Sequence, residues 1–352
     1  MTKIMELRKF STINLDDAFF DSLKIDYPEF VDWFQRKSVA GKSAFVQYDS
    51  DGHLQGFLFL KDESKEVDGK ISPLMVQKKR LKVGTFKIEA HNTRLGEKFI
   101  KKIMDCAIYG GFEEAYVTIY PKHERLVELF KKYGFEDYGM KGEEKVLVKS
   151  FSKYTGDLLY DYPLIRPSHQ RKFLLSIYPI YHTPLFSDSI LKNEERKTED
   201  LVKDVTFSNS IHKIYICFMA KTAHLRRGDL LAIYRTNDHM GAARYRSVVT
   251  SICQVEEVKT KKDFASIDDY LKYCRSYSIF TEDNLRKWFR NDDMVVIKMT
   301  YNIALGKRIT RGMLLDEAKI SSTLYWGFFQ LTDEQFDYIL KKGKVNENFI
   351  ID

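Results

Sequence analysis

At 352 residues the chain is longer than one hydrophobic core usually serves, so two domains are expected. A hydrophobic content of 44%, with 25 Phe and 21 Tyr, excludes a disordered chain. No apolar run reaches the roughly 18–20 residues of a membrane span. The formal net charge of +7 favours anionic partners such as nucleotides or RNA. Cys106, Cys217, Cys253 and Cys274 form no CxxC pair, so they read as isolated buried thiols and not as zinc ligands or a disulfide framework. The opening stretch MTKIMELRKF lacks the apolar core of a signal peptide, and a cytoplasmic location is expected.

In chain order, residues 4–11 read as a short strand, and 15–34 as helix interrupted near Pro28. SAFVQYDSDGHLQGFLFLK is a hairpin: two alternating apolar runs flank Asp49-Ser50-Asp51-Gly52, which supplies the turn. KRLKVGTFKIEA is a strand with alternating faces. From Arg94 to Tyr109, Leu95, Phe99, Ile100, Ile103 and Met104 fall at helical spacing, and Gly110-Gly111 ends the helix. EEAYVTIYP is a buried-type strand stopped by Pro121. HERLVELFKKYG is a helix stopped by Gly134, and FEDYG with EEKVLVKSF closes the region as a hairpin. This order predicts an α/β domain with a mixed, mainly antiparallel sheet flanked by helices over residues 1–150.

Residues 151–205 are rich in Tyr, Pro, Lys and Glu and include the charged run KNEERKTEDLVKD, so they are expected to form a charged or helical connector. From 206 to 352 the chain is strand-rich again. IHKIYICFMA, DLLAIYRT, ARYRSVVTSICQVEEV and MVVIKMTYNIAL read as strands, with a helical insert IDDYLKYCRSYS plus EDNLRKWFR. LTDEQFDYILKKG is a helix with Thr332 as N-cap and Gln335 three residues on.

The stretch FKIEAHNTRLGEKFIKKI carries chemistry. A strand runs through a short polar loop into a helix with a glycine near its start, and such a helix end presents backbone N–H groups and a positive dipole to a pyrophosphate. RLGEKFI resembles the GxGxxLL part of the acetyl-CoA loop of GNAT-type acetyltransferases, and HERLVELFKKYGF resembles their NxxAxxLYxxxGF signature. The resemblance implies a GNAT fold and an acetyl-CoA donor. It implies that Phe86, Lys87 and Ile88 at a splayed strand end, Arg94, Leu95, Gly96, Glu97 and Lys98 at the loop, and His123 and Phe130 on the next helix surround that donor. Arg94 stands at the usual first glycine, His91 at the usual Gln or Arg, His123 at the motif Asn and Phe130 at the usual proton-donating tyrosine. On this resemblance, deprotonation of an amine falls to Glu89 or Tyr120, and the leaving thiolate either takes a proton from Tyr120, Tyr133 or water or leaves unprotonated.

Residues 210–340 resemble the PUA-like group of small β-barrels, which includes ASCH and EVE domains, on HLRRGDLLAIYRT followed by RYRSVVTSICQVEEV. The resemblance implies binding of RNA or modified bases. Lys221, His224, Arg226 and Arg227 cluster before one strand, Arg235, Arg244 and Arg246 lie on or near the next two, and Tyr325 and Trp326 offer a stacking face. Together the two resemblances lead to an N-acetyltransferase acting on an RNA-presented amine, a tRNA base or an aminoacyl-tRNA, and in the second case to a translation-blocking toxin with a companion antitoxin. The alternatives are a protein or small-molecule N-acetyltransferase and a non-catalytic regulator that binds coenzyme A and RNA.

Overall fold

The computed structural model describes residues 5–89, 94–186 and 211–351. The chain divides into two units, Met1–Lys153 and Tyr154–Asp352. Among the described residues no helix is long and apolar enough to cross a membrane. Cys217, Cys253 and Cys274 are buried, Cys106 is half-buried, and all four are free thiols.

The first unit opens with β1 (Glu6–Lys9). The helical region expected over 15–34 is two helices, α1 (Asp21–Asp26) and α2 (Phe30–Val39), because the chain turns through Tyr27 and Pro28. The hairpin β2 (Ser43–Tyr48) and β3 (Leu54–Asp62) follows. Next come a two-residue strand β4 (Ile71–Ser72), β5 (Arg80–Ile88), α3 (Leu95–Tyr109), β6 (Glu114–Ile119), α4 (Glu124–Lys132) and the hairpin β7 (Glu136–Lys141) and β8 (Glu144–Ser150). The eight strands form one sheet in the order β1-β2-β3-β5-β6-β8-β7-β4. Every pairing is antiparallel except β5 with β6, the pair that α3 connects. Phe10, Phe20, Phe30, Phe34, Phe57 and Phe59 make an aromatic core between α2 and the β2–β3 hairpin. Arg80 and Glu114, paired across β5 and β6, form a buried ion pair at 2.8 Å that fixes the start of the parallel ladder.

The second unit starts earlier than expected. Within the segment read as a connector, β9 (Lys172–Ile177) and α5 (Pro179–Leu185) belong to its core, with Phe173, Leu175, Ile177 and Leu185 buried. The run KFLLSI carries the strand signal, and the charged run 192–204 lies outside the described residues. The sheet is ordered β10 (His212–Cys217), β13 (Val295–Thr310), β12 (Val248–Thr260), β11 (Leu230–Arg235), β9, β14 (Phe328–Gln330). β9 and β11 are parallel and the other neighbours antiparallel. Three register shifts interrupt the β12–β13 ladder, the kind of irregularity that kinks and twists a strand pair. Among the described residues it does not close into the expected barrel: β10 and the three-residue β14 stand at opposite edges, and no pairing joins them. One face is covered by α6 (Ile267–Arg275) and α7 (Glu282–Trp288) through Ile214, Ile216, Leu271 and Val296. The helix α8 (Asp333–Lys342) carries the expected capping box of Thr332 and Gln335.

His182 on α5 is fully buried, and its Nε2 lies 2.8 Å from the Thr250 hydroxyl. Burial, helped by the Arg235 and Arg308 guanidiniums, pushes its imidazole down to about 3. The unfolded chain takes up this proton below its ordinary 6.5 and the folded chain does not, so stability is complete above that value and is lost as pH falls from 6.5 towards 3. Urea titrations should show stability falling by about 1 kcal/mol per pH unit across that window. The substitution His182→Gln should flatten this dependence, and an unchanged slope would show that His182 titrates normally.

Candidate active site

The parallel ladder between β5 and β6 is short. It runs from Arg80↔Glu114 to Val83↔Val117 and stops. β5 continues to Ile88 paired only with β3, and β6 continues to Ile119 paired only with β8. The two strands therefore part, and the backbone of Gly84–Ile88 has no β6 partner on that side.

The sequence contains the cause in Gly84. Thr85 pairs with Phe59 and Val83 with Leu60, so Gly84 is an extra residue bulged from β5, directly after the last β5–β6 pair. A bulge bends its strand, and glycine within a strand is the signal for one. A side chain has no room here: a Cβ on Gly84 would lie 2.9 Å from Cδ1 of Phe59. That ring is held edge-on to Phe10 at 5.3 Å and Trp33 at 5.6 Å.

The segment from Phe19 to Tyr27 bridges the parted strands. On the β5 side, the Lys87 ammonium donates to the Phe19 carbonyl and, at 2.7 Å, to the Ser22 hydroxyl. On the β6 side, Asp26 accepts from Lys122 at 2.5 Å and pairs with His123 Nε2 at 3.2 Å. Tyr27 lies against Tyr120 with ring centroids 5.2 Å apart and donates to Glu144 at 2.9 Å. A cavity of about 570 Å³ opens there, lined by Ile25, Asp26, Tyr120, Pro121, Lys122 and Glu143.

The residues expected around the donor separate into two sets. Phe86, Lys87 and Ile88 lie on the parted half of β5, and the α3 N-terminus follows it at Leu95. Arg94 is half-buried, 3.9 Å from Glu97. Other side chains turn inward. The Lys98 ammonium is buried and donates to Gln47 at 2.7 Å, and Glu97 is buried against Lys132 at 2.8 Å. Gly96 faces α4, where a Cβ would sit 2.9 Å from Cδ2 at the end of the half-buried Leu129 side chain. Phe130 is fully buried, edge-on to Phe86 at 5.5 Å and Phe135 at 4.8 Å. His91 lies outside the described residues.

The three catalytic candidates differ as sharply. Tyr133 has no exposed surface, so in this conformation it cannot serve as the acid of an open site. Glu89 is exposed and paired to Lys87 at 2.8 Å. Tyr120 stands one residue beyond β6, at the mouth of the parting. Desolvation first, then the Glu144, Glu143 and Glu29 carboxylates, raise its hydroxyl above the ordinary tyrosine value. It stays protonated at neutral pH, which makes it a proton donor and a poor base.

In the second unit the basic residues expected to contact RNA form two groups at opposite ends of β11, a strand of six residues, so roughly 17–20 Å separates them. Lys221, His224, Arg226 and Arg227 are exposed before it. At its far end Arg235 is buried and ion-paired with Asp238 at 3.9 Å. Arg246 binds Asp238 at 2.5 Å, and Arg244 pairs with Asp316. Tyr325 is exposed, and Trp326 lies half-buried under the Arg311 guanidinium at 4.5 Å.

No family profile and no curated protein matches the sequence. Solved structures with which the chain shares a distant likeness include the Campylobacter jejuni N-acetyltransferase PseH, at 12% identity over 42% of this chain and 99% of that one, with a TM-score of 0.29. Another is a putative phosphinothricin N-acetyltransferase, at 16% identity over 43% and 100%, with a TM-score of 0.31. A third is an ASCH protein from Zymomonas mobilis, at 9% identity over 48% and 94%, with a TM-score of 0.32. At such distances the likenesses carry no function across.

Gly84→Val places a branched side chain against the held Phe59 ring. It should cost about 1–3 kcal/mol in chemical denaturation, the usual penalty for overpacking. A variant as stable as the parent would show that the bulge does not depend on the missing side chain.

Proposed function

We propose that the first unit is an acetyl-CoA-dependent N-acetyltransferase whose reaction takes place where β5 and β6 part. The observation that carries this reading is the bulged β5 edge: Gly84–Ile88 has no β6 partner, and a helix N-terminus follows. Backbone groups of that edge suit an amide-bearing pantetheine chain, and the α3 N-terminus with Arg94 suits its pyrophosphate. When bound, acetyl-CoA supplies an activated acetyl group as a thioester.

The protein's own contribution is position and proton supply. Lys87 and Asp26 fix the Phe19–Tyr27 segment across the parting from its two sides. A backbone N–H of Phe86, Lys87 or Ile88 directed at the thioester oxygen stabilises the charge that develops there. The acceptor nitrogen bonds to the carbonyl carbon, and the C–S bond breaks with its electron pair on sulfur. Sulfur takes the Tyr120 proton, and the proton shed by nitrogen passes to water, from which Tyr120 is reprotonated. Phe130 is deep in the core and takes no part; Tyr120 stands in for the usual acid from the other side of the parting.

A second reading, that RNA presents the amine, draws on the exposed Arg226 and Arg227 turn. It requires RNA binding that weakens steeply with salt and is lost in Arg226→Ala/Arg227→Ala. The toxin role rests on this reading in turn.

Acetyl transfer from labelled acetyl-CoA into a mixed pool of primary amines tests the main reading. Tyr120→Phe should lower kcat about 10–100-fold, within the range for loss of a general acid, with little change in KM for acetyl-CoA. An unchanged kcat would assign the proton to water. Absence of both acetyl-CoA binding and transfer would remove the reading.

A further inference from the structure

The turn that carries Tyr120 also carries an imidazole that the reaction above does not use. The Tyr120 carbonyl accepts from the His123 N–H at 3.0 Å, so Tyr120, Pro121, Lys122 and His123 form one tight turn between β6 and α4. Asp26, from the bridging segment, meets this turn with both oxygens. One accepts from Lys122 at 2.5 Å, and the other lies 3.2 Å from His123 Nε2. The Lys122 hydrogen bond, outweighing burial, holds the Asp26 carboxyl below the usual carboxylate range. Asp26 is therefore an anion at neutral pH, and an anion can only accept. It draws the proton of neutral His123 onto Nε2 and leaves the lone pair on Nδ1. His123 is the N-cap residue of α4, yet its side chain makes no capping bond. Among the described residues Nδ1 has no partner, and with 41% of the side chain exposed a ligand can reach it.

An alkylamine reaches a protein at neutral pH as an ammonium ion, which has no lone pair and cannot attack a thioester. It must lose one proton before attack and a second after it. Asp26, Tyr120 and Lys122 line the cavity beside the parted strands, and His123 is paired with the first and folded back on the second. The ionisable groups around the ring are Asp26 on α1 and Lys122 and Tyr120 in its own turn; Glu143 and Glu144 of the β7–β8 turn and Glu29 before α2 act on Tyr120. Asp26 is engaged by two basic side chains and Tyr120 is held protonated, so neither can take the first proton. An imidazole is by nature a stronger base near neutral pH than a carboxylate.

Resting on the acyltransferase reading, we propose that His123, oriented by Asp26, is the base that takes the first proton from an alkylammonium acceptor. The proton moves from the acceptor nitrogen to Nδ1, the electron pair of the broken N–H bond becomes the attacking lone pair, and Asp26 balances the imidazolium charge. Transfer then proceeds as written above, with Tyr120 protonating sulfur and the second proton passing to water. His123 returns its proton to solvent before the next turnover. Acid and base stand at the two ends of one turn.

Ethylamine and trifluoroethylamine test this with the full-length protein, because they are alike in length and only the first is an ammonium ion at neutral pH. His123→Asn removes the base and supplies a residue that caps helices well, so the variant should fold. It should lower kcat/KM for ethylamine about 100-fold or more, the range for a general base, and for trifluoroethylamine less than about threefold, with acetyl-CoA binding by calorimetry unchanged. With ethylamine the parent's rate should level off once the imidazole is neutral, whereas the variant's should keep rising about tenfold per pH unit, as the free amine does. Asp26→Asn, which keeps the shape of the side chain, should show the same selective loss, about tenfold or more. An equal loss for both amines is what a displaced turn would produce, and no loss for either assigns the proton to water; each would overturn the proposal. Donor binding with transfer to neither amine overturns the base assignment alone; no donor binding removes the acyltransferase reading with it.

Discussion

The bulge at Gly84 is the constraint on which the first unit's chemistry depends. A regular β5 would continue its parallel ladder with β6 past Val83 and Val117, and the sheet would be closed. One extra residue turns the strand away, and the Phe59 ring occupies the space that any side chain on that residue would need. Phe59 is held in turn by Phe10 and Trp33, so the aromatic core beneath α2 also determines where the sheet opens. A packing feature and a functional feature are here the same contact.

Opening a sheet exposes backbone donors and acceptors that otherwise need partners. The bridging segment Phe19–Tyr27 limits that exposure without closing the gap, because it is tied to both strands by side chains and not by a ladder. Lys87 ties it to β5, and the Asp26–Lys122–His123 group ties it to the turn after β6. The same turn places Tyr120 among carboxylates that keep it protonated. The position of this tyrosine and its protonation thus follow from one short stretch of chain.

Much of this organisation was legible in the sequence. Alternation in SAFVQYDSDGHLQGFLFLK and KRLKVGTFKIEA and the 3.6-residue spacing after Arg94 correspond to β2, β3, β5 and α3. Side-chain direction was not legible. Lys98, Phe130 and Tyr133 sit in a recognisable motif, yet all three are buried, because which way a helix faces depends on its neighbours and not on spacing alone. Gly96 suggested a ligand and meets Leu129. Gly84, the glycine that matters most, lies in a stretch whose alternation hides the extra residue. In the second unit, β9 was concealed by the polar composition around KFLLSI, and six strands are not enough to predict closure. The basic residues clustered along the sequence fall at two ends of one strand, and Arg235 is buried beside Asp238.

Hydrogen exchange of the full-length protein with and without acetyl-CoA tests most directly the claim that the parted strands hold the acyl donor. Saturating acetyl-CoA should slow exchange at Gly84–Ile88 and in the first turn of α3, while the paired half of β5, Arg80–Val83, changes little. Protection confined to the second unit, or none at saturation, would contradict it.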